Sequence, residues 1–440
     1  MVVAQPVSLK RNTVSGKAGR MMNRRIFLKR IAAYIAGFLF FGKLAGEKPA
    51  VSAEKKRPRV LRVYNAHATD WNFQDSKTSG SHYWEHVNTD VCRKMVNKGL
   101  RIFARRPTTE AAWKWVFRQN GGAGYIRGQK ISIKLNWNDC DPGLGDGPDG
   151  NYLVSNTQLV QAVIESLLSH VPGLRSDDLL VGDPSRTPYD RIRSALSGLG
   201  VQVIEFKPDV FAALSDARVD YPNWQGDYLC SSMFGQSAHL IDMPLLKAIS
   251  ASWGIAGALK DAQGKIGQAG ASYQDNRRAW IKKHDSTFSY TNSLNTLAYM
   301  NSHPWIKDKR RLIIADGLYG LFNGQHFRSG NRDDIPRPWI LFQNNSPNSI
   351  LFSTDPVAID CVMHDLVRFE RKHQGLSGSF PKPIQVACAN AGLGANDDPV
   401  ESEVVPSPVG PLFHYPVIKY KVVDLTSKKP GLNDVNYSQH

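Results

Sequence analysis

Cysteine is scarce in this 440-residue chain: Cys92, Cys140, Cys230, Cys361 and Cys388 form no CxxC or other close pair. That spacing excludes an iron–sulfur or zinc-ribbon ligand pattern. An odd, scattered set reads as small buried apolar residues, with a disulfide as the alternative in an oxidising compartment. The sequence also lacks a GxSxG elbow, a Walker A loop and an HExxH zinc helix. Gly264, Gly267 and Gly270 are spaced GxxGxxG, which is not the dinucleotide fingerprint. His239, His284, His303, His326 and His364 form no ligand pair and read as structural. There is no internal repeat and no low-complexity tract. Charged residues make up 21% and hydrophobic residues 42%, which excludes disorder and allows a large core.

The formal charge of +16 is unevenly spread. Residues 1–53 hold ten Lys/Arg and one Glu, so the remainder carries only +7. Beyond that point the basic blocks are Lys55-Lys56-Arg57 and Lys307 to Arg311, the second expected as a solvated helix end. No nucleic-acid partner is expected from so mild a charge. Attraction to acidic small molecules stays open.

Arg24-Arg25 followed by Ile26-Phe27-Leu28-Lys29 resembles the twin-arginine export signal. An apolar run from Ile31 to Phe41 and the small residues of Val51-Ser52-Ala53 complete the pattern of a cleavable leader. The run is shorter than the roughly 20 residues a membrane span needs. The expectation is a leader over 1–53, recognised by the twin-arginine export machinery and delivering a folded protein to the periplasm or another exported location. No permanent membrane span is expected after cleavage, and an uncleaved anchor is the alternative. The start is read as Met1, Met21 or Met22.

Downstream, the pattern alternates strand and helix. Lys130 to Trp137 (KISIKLNW) alternates Ile131, Ile133 and Leu135, as a strand does. Asn156 precedes a helix, TQLVQAVIESLLSHV, and Leu179 to Gly182 is a short strand leading into GDPS. A helix at Tyr189–Leu199 and strands at Val201–Phe206, Ala238–Met243, Arg311–Asp316 and Ser349–Ser353 follow. GIAGALK reads as a helix of small residues, and TDPVAIDCVMHDLVRF as a helix with Pro in its first turn. This order predicts an α/β fold: a mainly parallel sheet with helices on both faces, one large domain, and irregular N- and C-terminal extensions. The expected divisions are a leader over 1–53, a strand and helical region over 54–128, the core over 129–400 and a surface-packed tail over 401–440.

In such a sheet, ligands bind beyond the carboxyl ends of the strands. Lys134, Asn136, Asp183, Lys247, Asp316 and Asp355 fall at such ends. Lys134 lies opposite Ile131, Ile133 and Leu135, so on a doubly covered sheet it needs an anion, whereas on an edge strand it meets water. Lys247 and Lys260 flank the small residues Gly254, Ala256, Gly257 and Ala258. Asp355 has the setting of a helix cap, with Asp360 five residues on. Catalytic roles are assigned to Asp316, Asp355 and Asp360, and ligand binding to Lys134, Asn136, Asp183, Lys247 and Lys260. Capping and ion pairing are the alternatives for each. The cofactor is unknown. Carboxylates leave room for a divalent metal, and the acidic loop from Asp139 to Asp149 resembles a calcium loop but lacks EF-hand spacing.

The stretches KISIKLN, GDPS, AHLIDMPLLKAISASWGIAGALKD, RLIIADGLYG, STDPVAID and NAGLGANDDP together resemble the bacterial and archaeal family called domain of unknown function 362. MVNKGLRIFARRPTTEAAWKWVF resembles its exported branch. The resemblance implies the fold and a shared cleft, but no reaction. Some members are linked to iron–sulfur modules with cysteine clusters, and this chain has no such cluster. The reading is a periplasmic enzyme acting on a small anionic substrate through Lys anchors and Asp acid–base or metal chemistry. The alternative is a non-catalytic binding or maturation protein.

Overall fold

A computed structural model describes residues 57–74, 80–138, 140, 152–211, 216–219, 221, 228–250, 254–268, 287–292, 294–323, 335–376 and 379–426. Residues 1–53, expected to be a leader, the loop from Asp141 to Asp149 together with Asp139, and Gly270, His284 and His326 lie outside the described residues.

The strands are β1 (Arg59–Tyr64), β2 (Lys130–Leu135), β3 (Leu179–Gly182), β4 (Gln202–Ile204), β5 (Tyr228–Cys230), β6 (Ser237–Met243), β7 (Leu245–Ser250), β8 (Gly254–Ile255), β9 (Ile266–Gln268), β10 (Arg310–Leu321), β11 (Ser349–Ser353) and β12 (Lys419–Asp424). The helices are α1 (Thr89–Ala104), α2 (Thr109–Val116), α3 (Thr157–His170), α4 (Asp190–Ser197), α5 (Ser232–Gln236), α6 (Thr296–Asn301), α7 (Pro304–Lys307), α8 (Pro356–His373) and α9 (Pro383–Asn390).

The main sheet runs β12-β1-β11-β10-β6-β2-β3-β4, with β7 and β8 branching from β10. All its neighbours pair in parallel except at β11, which is antiparallel to β1 and β10, and at β8. The sheet is thus mixed but mostly parallel, with helices on both faces. Inner strands are buried and mainly apolar because both faces are covered: every residue of β11 is buried. One core packs α1, α2, α3 and α4 against Ile131, Ile133, Leu135 and Ile314. The other packs α5, α6, α8 and α9 against Leu240, Leu246, Ile313 and Leu351. Among the described residues, no helix is long and apolar enough to cross a membrane. All five cysteines are buried.

Local chemistry accounts for most boundaries. Thr108 caps α2, its side chain accepting from Ala111 N. Asp355 caps α8, which then begins with Pro356.

Three stretches depart from the sequence reading. GIAGALK is not a helix: Gly254–Ile255 form β8, and a 3-10 turn covers Lys260–Lys265. Its small residues serve close approach, since a Cβ on Gly257 would sit 2.3 Å from Asp360 Oδ1. β10 does not stop at Asp316 but continues to Leu321, and Gly320 makes room for the Trp339 ring. Arg310 and Arg311 are not a solvated helix end but buried residues of β10. The C-terminal segment also enters the sheet, with β12 lying parallel to β1.

Candidate functional site

β2 is an inner strand between β6 and β3, and Ile131, Ile133 and Leu135 fill one core, so Lys134 points into the other. It is 1% exposed and finds two anions: Nζ lies 3.1 Å from Asp183 Oδ2 and 3.0 Å from Asp261 Oδ1. On β6, Asp242 stands beside Lys134 in register and carries two cations. Lys265 Nζ lies 2.8 Å from its Oδ1 and Arg310 Nε 2.7 Å from its Oδ2. Lys265 also approaches Asp261 Oδ2 at 3.4 Å, which joins the groups into one chain. Arg310 ends it by donating to Asn301 Oδ1 at 2.7 Å.

Asp183, Lys134, Asp261, Lys265, Asp242 and Arg310 are all buried, and their charges balance. The network lies near the carboxyl ends of β2, β3 and β6, where open parallel sheets bind ligands. Its outer end is Asp183, which accepts from Trp137 N, Ser185 N and Ser185 Oγ at 3.2, 3.0 and 2.7 Å. Gly264 covers this end closely: a Cβ there would meet Lys134 Nζ at 3.0 Å and Ser185 Oγ at 3.1 Å.

The three carboxyls differ in proton affinity. Burial raises all of them. At Asp183, Lys134, Arg186 and the Ser185 donors overcome burial and hold the pKa below the usual range. At Asp242, Lys265 and Arg310 do the same. Asp261 stays above its ordinary value, because burial and the charges of Asp242 and Asp183 outweigh Lys134 and Lys265. No donor aligns with its Oδ2. Burial works against the Lys134 ammonium, but Asp183 and Asp261 hold its pKa up.

The other expected residues are not gathered here. Asp316 lies on the far face and receives hydrogen bonds from Asn156 N and Nδ2 at the start of α3, and from Leu318 N. Asp355 accepts from Val357 N, Ala358 N and Ala395 N, fixing both the start of α8 and a later loop. Asp360 accepts from Ala258 N at 2.7 Å and Leu259 N at 3.0 Å, so it anchors the turn that carries Asp261. Burial outweighs those two N–H groups and pushes its pKa up to about 7. Burial also raises Asp316 and Asp355. Lys247 is buried and donates to Leu153 O at 3.4 Å. Lys260 donates to Gln263 Oε1 and lies over the Phe288 ring. Asn136 Oδ1 accepts from Asn138 N, and its backbone pairs with Ser155.

Of the eight predicted residues, the structure joins only Lys134 and Asp183 by direct ion pairing. Sequence reasoning missed Asp242, Asp261, Lys265 and Arg310. A signal for Asp242 existed: like Lys134, it is a charge inside an apolar strand run, and such a charge needs a partner. Lys265 and Arg310 carried no comparable mark, because each sits in a polar stretch. Among the described residues, no group of three His, Cys, Asp or Glu side chains is placed to hold a metal ion. No protein-family model and no curated protein matches the chain.

Proposed function

We propose that this chain is an exported enzyme that takes a small anionic substrate at the carboxyl ends of β2, β3 and β6 and acts on it by proton transfer. The observation that carries this reading is the buried network itself, in which neighbouring carboxyls are driven in opposite directions. Asp183 and Asp242 are held ionised while Asp261 is held toward its protonated form. Such divergence separates acid from base among like groups. A buried ionic network is also a costly choice for stability alone, since apolar side chains of similar volume do as well or better. In this reading Asp261 holds the transferable proton, and Lys134 stabilises negative charge as it develops. Asp360 positions Asp261 by fixing the preceding turn.

The twin-arginine resemblance supports a periplasmic or exported location and the export machinery as partner. The likeness to the domain of unknown function 362 supports a ligand cleft at the same strand ends. The low exposure of Lys134, Lys265 and Asp242 favours a second reading, a non-catalytic binding protein whose network only shapes the pocket floor.

The test incubates the purified chain with a pool of small carboxylates and phosphate esters and follows each by mass spectrometry. Conversion of one component, slowed about 100-fold or more in Asp261→Asn, is the expected result. A component retained but never converted selects the binding reading. Neither conversion nor retention overturns both.

A further inference from the structure

The lysines of the network are not available to anchor an anion: Lys134, which the sequence suggested, and Lys265 are each shared between two carboxylates. Arg186 is different. It follows Asp183 and Ser185 in the turn after β3, where Arg186 N donates to Asp183 O at 3.1 Å and Phe206 N donates to Arg186 O at 2.9 Å. Its backbone is thereby fixed on both sides.

Its guanidinium is fixed as well, but only by neutral acceptors. Nη1 donates to Ser185 O at 2.9 Å, Nη2 to Asn138 Oδ1 at 2.8 Å and Nε to Asn138 O at 3.4 Å. Among the described residues, no carboxylate lies within ion-pairing distance of it. Arg93, Arg175, Arg193, Arg310 and Arg368 each have such a partner. Arg62 and Arg311, which also use neutral acceptors, are buried, whereas Arg186 is only half-buried. Each terminal nitrogen of Arg186 keeps an N–H unused by these bonds. Asn138, half-buried beside it, orients the fork.

We infer that Arg186 is the anion receptor of this protein, binding the carboxylate or phosphate group of the ligand at the outer end of the charge network. This rests on the proposed function and replaces its lysine anchors with an arginine. The chemistry is specific: a planar fork presents parallel N–H groups to two oxygens of one anion, which an ammonium cannot do. Restraint by neutral partners leaves the guanidinium without a direct ion pair among the described residues, although Asp183 feels its charge, and it lowers the entropy lost on binding. Ser185 Oγ, which donates to Asp183, links the receptor to Lys134 behind it.

The experiment is calorimetric titration of the full chain with inorganic phosphate and with malonate at constant ionic strength, for the wild type, Arg186→Gln, Arg186→Lys and the control Arg175→Gln. The wild type is expected to bind at least one probe. Arg186→Gln should weaken it by about tenfold or more, and Arg186→Lys by less. Arg175→Gln, at an exposed arginine already paired with Asp177, should bind as the wild type does. Circular dichroism and thermal melting of each variant show whether the fold is retained. If Arg186→Gln is folded and binds like the wild type, or if the wild type binds neither probe, the inference is overturned. Asn138→Ala guards against misfolding of Arg186→Gln: it removes the Nη2 restraint, keeps the guanidinium and its two backbone acceptors, and should weaken binding by about threefold to tenfold. Unchanged binding in Asn138→Ala also counts against the inference. Failure of the proposed function reads differently: probes bind through Arg186, yet the substrate pool shows no conversion.

Discussion

Asp360 sits farther from its ordinary state than a helix carboxylate should, and the reason is its place. It lies in the dry interior of α8 and holds two backbone N–H groups of a neighbouring turn. Because its folded pKa is raised to about 7, the stabilisation linked to its proton is complete in acid. That contribution is lost as pH rises from about 4, the unfolded value, through about 7. Urea unfolding across this window should show Asp360→Asn with a flatter pH dependence than the wild type, the difference reaching a few kcal/mol in order of magnitude. Parallel curves would remove Asp360 as the source. The network follows another rule. Lys134→Met leaves the Asp183 carboxylate buried without its ion pair and should cost about 3–5 kcal/mol. Lys134→Met combined with Asp183→Asn removes both members of the pair and should cost less than the single changes summed. A double variant whose cost equals that sum would mean that the pair does not act as one unit.

At the scale of elements, glycines and caps explain how carboxylates come to lie so close to backbone. A Cβ on Gly394 would sit 2.0 Å from Asp355 Oδ1, as one on Gly257 would crowd Asp360. Gly257→Ala is expected to destabilise by about 1–3 kcal/mol through overpacking, measured by thermal or urea unfolding. Gly121→Ala, whose Cβ would meet nothing within 4 Å, serves as a comparison in which only backbone conformation, φ +79°, is strained. The same closeness explains what was legible beforehand. The strands at KISIKL, LLVG and SILFS and the helix after Asn156 follow from periodicity, because a sheet covered on both faces demands apolar runs. Asp355 as a cap is legible from the Pro that follows it. GIAGALK is not, because small residues suit either a helix or a close contact, and only the position of Asp360 decides. Lys134 needing an anion is legible from strand alternation, but its second anion, Asp261, arrives from a segment more than a hundred residues away.

On the scale of the whole molecule, the sheet is held together by pairings between distant parts of the chain. β1 lies between β11 and β12, and Arg62 in the middle of β1 is fully buried with no carboxylate partner among the described residues. It donates to Val409 O, Pro411 O and Tyr420 Oη, all from the C-terminal segment, and to Ser349 Oγ. Truncation after Val400 should therefore remove most of what satisfies this cation, beyond the loss of an edge strand. The expected outcome is a chain that fails to fold cooperatively or unfolds several kcal/mol more easily. Arg62→Met in the truncated chain should recover part of the loss. No recovery would indicate that strand pairing, not the orphaned guanidinium, dominates.

The position of β12 also bears on when folding can finish. β1 is made early, yet one of its two partners arrives only with a segment far along the chain, so on that side it waits unpaired until β12 has been synthesised. Closing so long a loop makes this pairing a slow step. A copy that stops before β12 keeps that edge of β1 bare, with its backbone donors and acceptors open to other chains.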